Sequence, residues 1–286
     1  MDLFQIFILA VIQGVTELLP DSSSAHVIIA EKLMGLDPTS PEMTFLLIML
    51  HTGTMFAVIL FFWKSWKATF FASEKVFKDS VRFIAIATFM TGVIGLSLKF
   101  LVEKFFLNDM PHAEIELLFG NMQLISIALA SVGILIIFAG WKSRRCVDKP
   151  TALDIKKSFL IGAVQGVCLL FRGFSRSGAT ISTGLLLGMD KKRIEDFSFA
   201  LAVVLTPPII MREAIRLLKT QHSSLSDATS MVNLFLPGLI GMGLSFAAGT
   251  LALRWLSNWL EQGRWYLFGI YCLCASLVIF LLFGRG

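Results

Sequence analysis

The segments QGVTELLPDSSSAH (13–26) and QGVCLLFRGFSRSGAT (165–180) open on the same tripeptide, and each interrupts an apolar stretch with serine and charge. Placing Gln13 on Gln165 sets an offset of 152 residues. The same offset carries Gly14 onto Gly166, Val15 onto Val167, Ser23 onto Ser175, Phe45 onto Phe197 and Thr54 onto Thr206. The chain therefore reads as one element written twice, about 1–145 and 153–286, within a single integral domain. Between them the two copies hold Glu17, Asp21, His26, Arg172 and Arg176 at or near membrane depth. Ionisable groups are costly there and by default mark a functional site.

Composition sets the surroundings. With 56% hydrophobic and 16% charged residues, and a mean hydropathy of +0.76, the chain is too apolar for a soluble globular domain. It reads as an all-α polytopic membrane protein. The net charge of +5 resembles a nucleic-acid signature, but the basic residues cluster in short connections between apolar segments, so they read as orientation signals and nucleic acid is excluded as a partner. Cys146, Cys168, Cys272 and Cys274 have no C-x-x-C spacing and suggest neither a disulfide framework nor a zinc site. The N-terminus lacks a basic n-region and a cleavage site, so the first apolar stretch is expected to be retained.

A spanning helix needs about 20 apolar residues. Six segments qualify: 43–63, 82–102, 120–141, 196–217, 232–253 and 264–283. Four shorter ones, at 3–19, 24–36, 157–171 and 178–189, flank the repeated motifs in pairs. Short helices joined by Pro, Gly and Ser predict re-entrant hairpins, because irregular backbone survives at membrane depth only where protein or a wet cavity satisfies it. Each half then contributes one hairpin and three crossings. An odd number of crossings turns the second half upside down, giving an inverted-topology repeat of six transmembrane helices and two hairpins. The connections at 64–82, 142–157, 190–195 and 254–264 fall on one side and carry five, six, three and two Lys or Arg. That side is the expected cytoplasmic one. The first hairpin then opens outward, the second enters from the cytoplasm, and their tips meet near the midplane.

Each tip carries chemistry. Ser175, Arg176, Ser177 and Gly178 precede a helical run whose N-terminal N–H groups suit a phosphate. Arg176 adds a planar fork of donors, and Ser175, Ser177 and Thr180 add hydroxyls. The bland alternative is that Arg176 pairs with Glu17 to hold the hairpins. In the first tip, Glu17 can accept a proton or bind a divalent cation. Ser23, activated by Glu17 or His26, is the first candidate nucleophile, an activated water fits the sequence equally well, and His26 can also be the acid for the leaving group. Their bland readings are Ser22 as an N-cap, with phosphate contact as its functional reading, and His26 as a hydrogen-bonded interior residue.

The two motifs, in this order, resemble the undecaprenyl-diphosphate phosphatases of the bacitracin-resistance type, and the likeness extends to LLIMLHTGTMFAVILFFW (46–63) and DFSFALAV (196–203). The resemblance implies an integral membrane enzyme of bacterial cell-wall lipid recycling. Its site would open to the outer face of the inner membrane and remove the terminal phosphate of undecaprenyl diphosphate. It also implies a divalent cation, Mg or Ca. By that likeness Glu17, Ser23, His26 and Arg176 fall on catalytic positions, and Ser175, Ser177 and Thr180 on the hydroxyls of the family's second motif; together with Ser22 and Gly178 these are the expected substrate-binding residues. Glu17 is the candidate metal ligand, with Asp21 a weaker one. Expected partners are the lipid substrate and the bilayer, with a second copy of the chain as a candidate. Several positions depart from the family: Gln13 stands where many members have a second glutamate, Asp21 replaces an apolar residue, Ser24-Ala25 replaces Thr-Gly, and Arg172 replaces a proline. The rival function is a lipid-phosphate flippase or anion transporter on the same inverted repeat.

Lesser features complete the reading. His51 either lines the cavity or makes a helix-packing hydrogen bond. Thr206, Pro207 and Pro208 are expected to break or kink their helix. Trp63, Trp66, Trp141 and Trp255 read as interfacial anchors.

Overall fold

The computed structural model describes residues 2–20, 23–37, 40–106, 121–145, 151–171, 173–220 and 228–283. Asp21, Ser22 and Arg172 lie outside the described residues, as do Cys146, His112 and His222. Ten helices follow in order: α1 (Leu3–Thr16), α2 (Ser23–Leu33), α3 (Pro41–Phe70), α4 (Glu74–Phe106), α5 (Met122–Arg145), α6 (Ile155–Leu170), α7 (Arg176–Leu186), α8 (Lys191–Thr220), α9 (Ala228–Glu261) and α10 (Tyr266–Phe283). Six of them, α3, α4, α5, α8, α9 and α10, are long and apolar enough to cross a membrane. The protein is an all-α polytopic membrane protein.

The two halves match element by element. Helices of 14, 11, 30, 33 and 24 residues in the first are answered by 16, 11, 30, 34 and 18 in the second. At 1.5 Å per residue, the 14 residues of α1 reach about 21 Å, short of the roughly 30 Å hydrocarbon core. The helices α2, α6 and α7 fall short as well. The last pair shows the relative sense of the halves. Ser126 of α5 donates to the Ser276 carbonyl of α10 at 2.9 Å, and Ser276 donates back to the Ser126 carbonyl at 2.7 Å. Further along, Gly133 meets Gly269, and Gly140 meets Tyr266. Numbers rise along α5 as they fall along α10, so these equivalent helices run antiparallel, as an inverted topology requires.

By contact, the chain divides into two compact units that do not follow the repeats. Unit 1 comprises Met1–Leu19, Ser23–Trp63 and Ala202–Leu256; unit 2 comprises Pro20–Ser22, Lys64–Leu201 and Ser257–Gly286. Within unit 1, α1 packs along α9: a Cβ on Gly14 would lie 2.7 Å from the Ser245 carbonyl and 3.1 Å from Gly249 N. Within unit 2, α6 packs along α4 in the same way, with Gly166 against the Thr91 carbonyl at 2.8 Å and Gly95 N at 3.1 Å. Thr91 and Ser245, like Gly95 and Gly249, stand 154 residues apart. Each hairpin's first helix is thus seated on a spanning helix of the opposite repeat. Small residues four apart make the seats, which is how helices approach closely where apolar surface alone supplies no drive. A methyl group is expected to break such a seat. On Gly162 it would lie 2.3 Å from the Ala87 carbonyl and 2.6 Å from Ala87 Cα, backbone atoms that cannot swing aside. Gly162→Ala should cost about 1–3 kcal/mol in overpacking, read as a lower Tm in detergent. Gly92→Ala, with nothing within 4 Å, is the control.

The long helices outrun the apolar segments. Residues 64–82 form the end of α3, a short turn and the start of α4, because Lys, Glu and Arg are good helix formers and the helix needs no apolar partner once past the lipid. Some of the basic residues at 142–145 and 191–193 close helix ends or the turn that follows one. Lys142 donates to the Leu186 carbonyl, Lys191 to that of Glu261, and Arg144 to that of Gly263 while lying over the Tyr266 ring. The helix α8 runs through Pro207 and Pro208 without breaking. Trp63, Trp141 and Trp255 are about half exposed, as anchors should be, but Trp66 is buried and its Nε1 donates to the Asp196 carbonyl at 3.1 Å.

Candidate active site

The first tip is built where α1 stops. Glu17 caps the C-terminus of α1, and Pro20, which has no N–H to donate, helps end it. The helix α2 begins at Ser23. Ser23 Oγ donates to Glu17 Oε2 at 2.7 Å, and Gln13 Nε2, one turn earlier on α1, donates to the same oxygen at 3.1 Å. Gln13 is buried, whereas the Glu17 side chain keeps about a fifth of its surface exposed. The carboxylate is therefore held from the protein side and reachable from the other. Ser24 and Ala25 contribute backbone to α2. His26 lies three residues past Ser23, on the same face of α2, and is half-buried.

His51 of α3 joins this group. Its Nε2 is 3.8 Å from Glu17 Oε2, while its Nδ1 is 2.8 Å from the Leu47 carbonyl. A carbonyl only accepts, so Nδ1 carries a hydrogen, and Nε2 faces the carboxylate at 3.8 Å, beyond direct hydrogen-bond reach. The Nδ1 bond stays within α3 rather than joining it to another helix, and Nε2 is the nitrogen turned toward Glu17. A lone intramembrane histidine was the available signal.

The second tip lies in unit 2. After α6, Gly173 turns the chain with φ +101°, a conformation that suits glycine, and a Cβ there would lie 2.5 Å from the Ile125 carbonyl. Ser175 then caps α7, its Oγ accepting from Gly178 N at 3.2 Å and lying 3.3 Å from Ser177 Oγ. Arg176 is the first helical residue. It is half-buried, and its Nη1 donates to the Ser198 carbonyl of α8 at 3.4 Å. Pro20 belongs to this unit: its carbonyl accepts from Cys272 Sγ at 3.3 Å, and a Cβ on Gly178 would fall 3.1 Å from it.

The structure brings Glu17 and Ser23 together in one unit, and Ser175, Arg176, Ser177, Gly178 and Thr180 in the other. The hydroxyls of the second tip face inward more than the sequence suggested. Ser175 and Ser177 are buried, and Thr180 is fully buried with its Oγ1 donating to the Arg176 carbonyl at 2.8 Å. The copies have diverged at equivalent places. Gln165, opposite Gln13 in the repeat, donates to Thr91 Oγ1 at 3.0 Å instead, because the second copy has Leu169 where the first has Glu17.

Among the described residues no three His, Cys, Asp or Glu side chains gather into a preformed metal cage. Glu17 alone suits a cation that keeps several waters and takes its remaining ligands from substrate oxygens, a common arrangement for Mg at phosphate sites. Zinc-type coordination, which needs three or four protein ligands, does not fit.

Residues 6–278 match the family described as bacitracin resistance protein BacA. Undecaprenyl-diphosphatase 2 of Acinetobacter baylyi is 56% identical over 284 residues, covering 99% of this chain and 98% of the relative. Undecaprenyl-diphosphatase 2 of Burkholderia thailandensis is 33% identical over 97% of this chain and 95% of its own. Undecaprenyl-diphosphatase of Bacteroides thetaiotaomicron is 31% identical over 98% and 99%. With near-complete coverage in every case, the chain belongs to the bacitracin resistance protein BacA family.

Proposed function

We propose that this protein hydrolyses the terminal phosphate of undecaprenyl diphosphate, releasing phosphate and undecaprenyl phosphate. The observation that carries the reading is the 2.7 Å hydrogen bond from Ser23 Oγ to the reachable Glu17 carboxylate, a nucleophile with its base in place. Ser23 Oγ attacks the terminal phosphorus as its proton passes to Glu17. The bond from that phosphorus to the bridging oxygen breaks, and undecaprenyl phosphate leaves. Water then cleaves the phosphoserine and restores the enzyme. His26, one turn along α2, protonates the leaving oxygen. Arg176 and the N-terminus of α7 hold the phosphate and stabilise the charge that develops on it. A divalent cation held by Glu17 and the diphosphate oxygens would neutralise part of that charge. Gln13 and His51 flank Glu17 and keep its carboxylate aimed.

The expected location is the bacterial inner membrane, with the site open to the outer face. The basic connections at 64–82, 142–157, 190–195 and 254–264 support this sidedness; a reporter fused within 142–157 and reading outside would reverse it. The direct test is phosphate release from a polyprenyl diphosphate by purified protein, with and without chelator. Release that stops on chelation and returns with Mg or Ca supports the full reading. Lipid movement across vesicles without phosphate release would replace the enzyme with a transporter.

A further inference from the structure

Ser198 sits inside the apolar run DFSFALAV of α8, fully buried between Phe197 and Phe199, and lies against the second tip. Its Oγ is 2.6 Å from Thr180 Oγ1, and its carbonyl accepts from Arg176 Nη1. Either hydroxyl can be the donor in that short contact, and Thr180 Oγ1 also lies 2.8 Å from the Arg176 carbonyl, a group that only accepts. One serine thus meets α7 through its side chain and receives the arginine through its backbone.

The packing says why this point matters. The helices α7 and α8 run antiparallel and meet in successive rungs: Gly184 against Ile194, where a Cβ would fall 2.2 Å from Ile194 Cγ1, and one turn on Thr180 against Ser198. The next step along α7 is Arg176, where the helix begins and whose Nη1 donates to the Ser198 carbonyl. The Thr180–Ser198 rung is the side-chain contact between α7 and α8 nearest to it. Alanine at 198 would remove the hydroxyl contact to Thr180 and loosen the α7–α8 packing one turn from Arg176. A buried polar network of this kind acts as a positioning device only when every member is satisfied.

We propose that Ser198 is the positioning residue for Arg176, setting where the guanidinium meets the terminal phosphate. This rests on the reading of Arg176 as a phosphate holder, and the test separates the two. The probe is farnesyl methylenediphosphonate, a prenyl diphosphate analogue that is not cleaved. Its Kd is measured on full-length protein in detergent for wild type, Ser198→Ala, Arg176→Ala and the double variant, with Tm recorded for each. Ser198→Ala should weaken binding about 5- to 10-fold, Arg176→Ala more, and the double variant no more than Arg176→Ala alone. An equal loss from Ser198→Ala in both backgrounds would mean that it acts through general stability, and no loss in the wild-type background would also overturn the proposal. If Arg176→Ala leaves Kd unchanged, the phosphate-holder reading falls and Ser198 falls with it. Should Ser198→Ala fail to accumulate, Ser198→Cys, of similar size and with a weak donor, carries the same cycle.

Discussion

Arg176→Ala is expected to reduce phosphate release from undecaprenyl diphosphate by about 10³-fold or more, with the protein still folded and of near-normal Tm. The scale follows from cationic and hydrogen-bond stabilisation of a transferring phosphoryl group, where one removed donor or arginine costs roughly 10²- to 10⁵-fold. The side chain is only half-buried and is not part of the hydrophobic core, so its loss should fall on turnover rather than on folding. Arg176→Lys should recover only a small part of the rate, because an ammonium restores the charge but not the planar fork. Near-normal release from Arg176→Ala would remove the second tip from the chemistry.

Ser23→Ala and Glu17→Gln are each expected to lose about 10³-fold in kcat, and the double variant scarcely more than either alone. Residues that act as one unit lose their whole effect with the first removal. Glu17→Gln keeps the shape beside Gln13 and His51 while removing the base, so it separates chemistry from packing. The hydrogen bond is read on the protein without substrate, and its length already suits proton transfer. If Ser23→Ala keeps near-normal turnover while Glu17→Gln does not, water rather than Ser23 is the nucleophile. If neither change matters, the first tip is structural. Both rates come from the phosphate-release assay, with single-turnover measurements to separate phosphoenzyme formation from its hydrolysis.

How much of this the sequence reveals depends on the distance over which a property is decided. Hydropathy places all six spanning helices, because lipid acts on each stretch of some 20 residues independently of the rest. The 152-residue offset places the hairpins, since the motif is local. Helix ends such as the Lys64–Phe70 part of α3 are not legible from hydropathy, because beyond the lipid propensity rather than polarity decides. Glu17 with Ser23 is legible as a pair separated by one turn of chain. His51 is not, because only the packing of α3 beside α1 and α2 brings it to Glu17, 34 positions earlier. Ser198 is the plainest case. A single serine among phenylalanines has no local mark of function, and its role comes wholly from the α7 residues it faces. The inward turn of Thr180 is hidden for the same reason: its direction is set by a partner 18 residues away on another helix.

The crossed seating of the hairpin helices bears on how the chain is made. When the ribosome has released only the first 145 residues, α1 is already in the membrane, but the glycine-lined face of α9 that receives it has not been synthesised. The helix α6, by contrast, emerges to find α4 waiting. The last-made hairpin can therefore lodge at once, whereas the first-made one must wait, with its buried Gln13 and its carboxylate in provisional company, until residues past 249 arrive. On this seating α6 can pack as soon as it is made, whereas α1 and the Glu17–Ser23 pair at its end complete their surroundings only once α9 is synthesised.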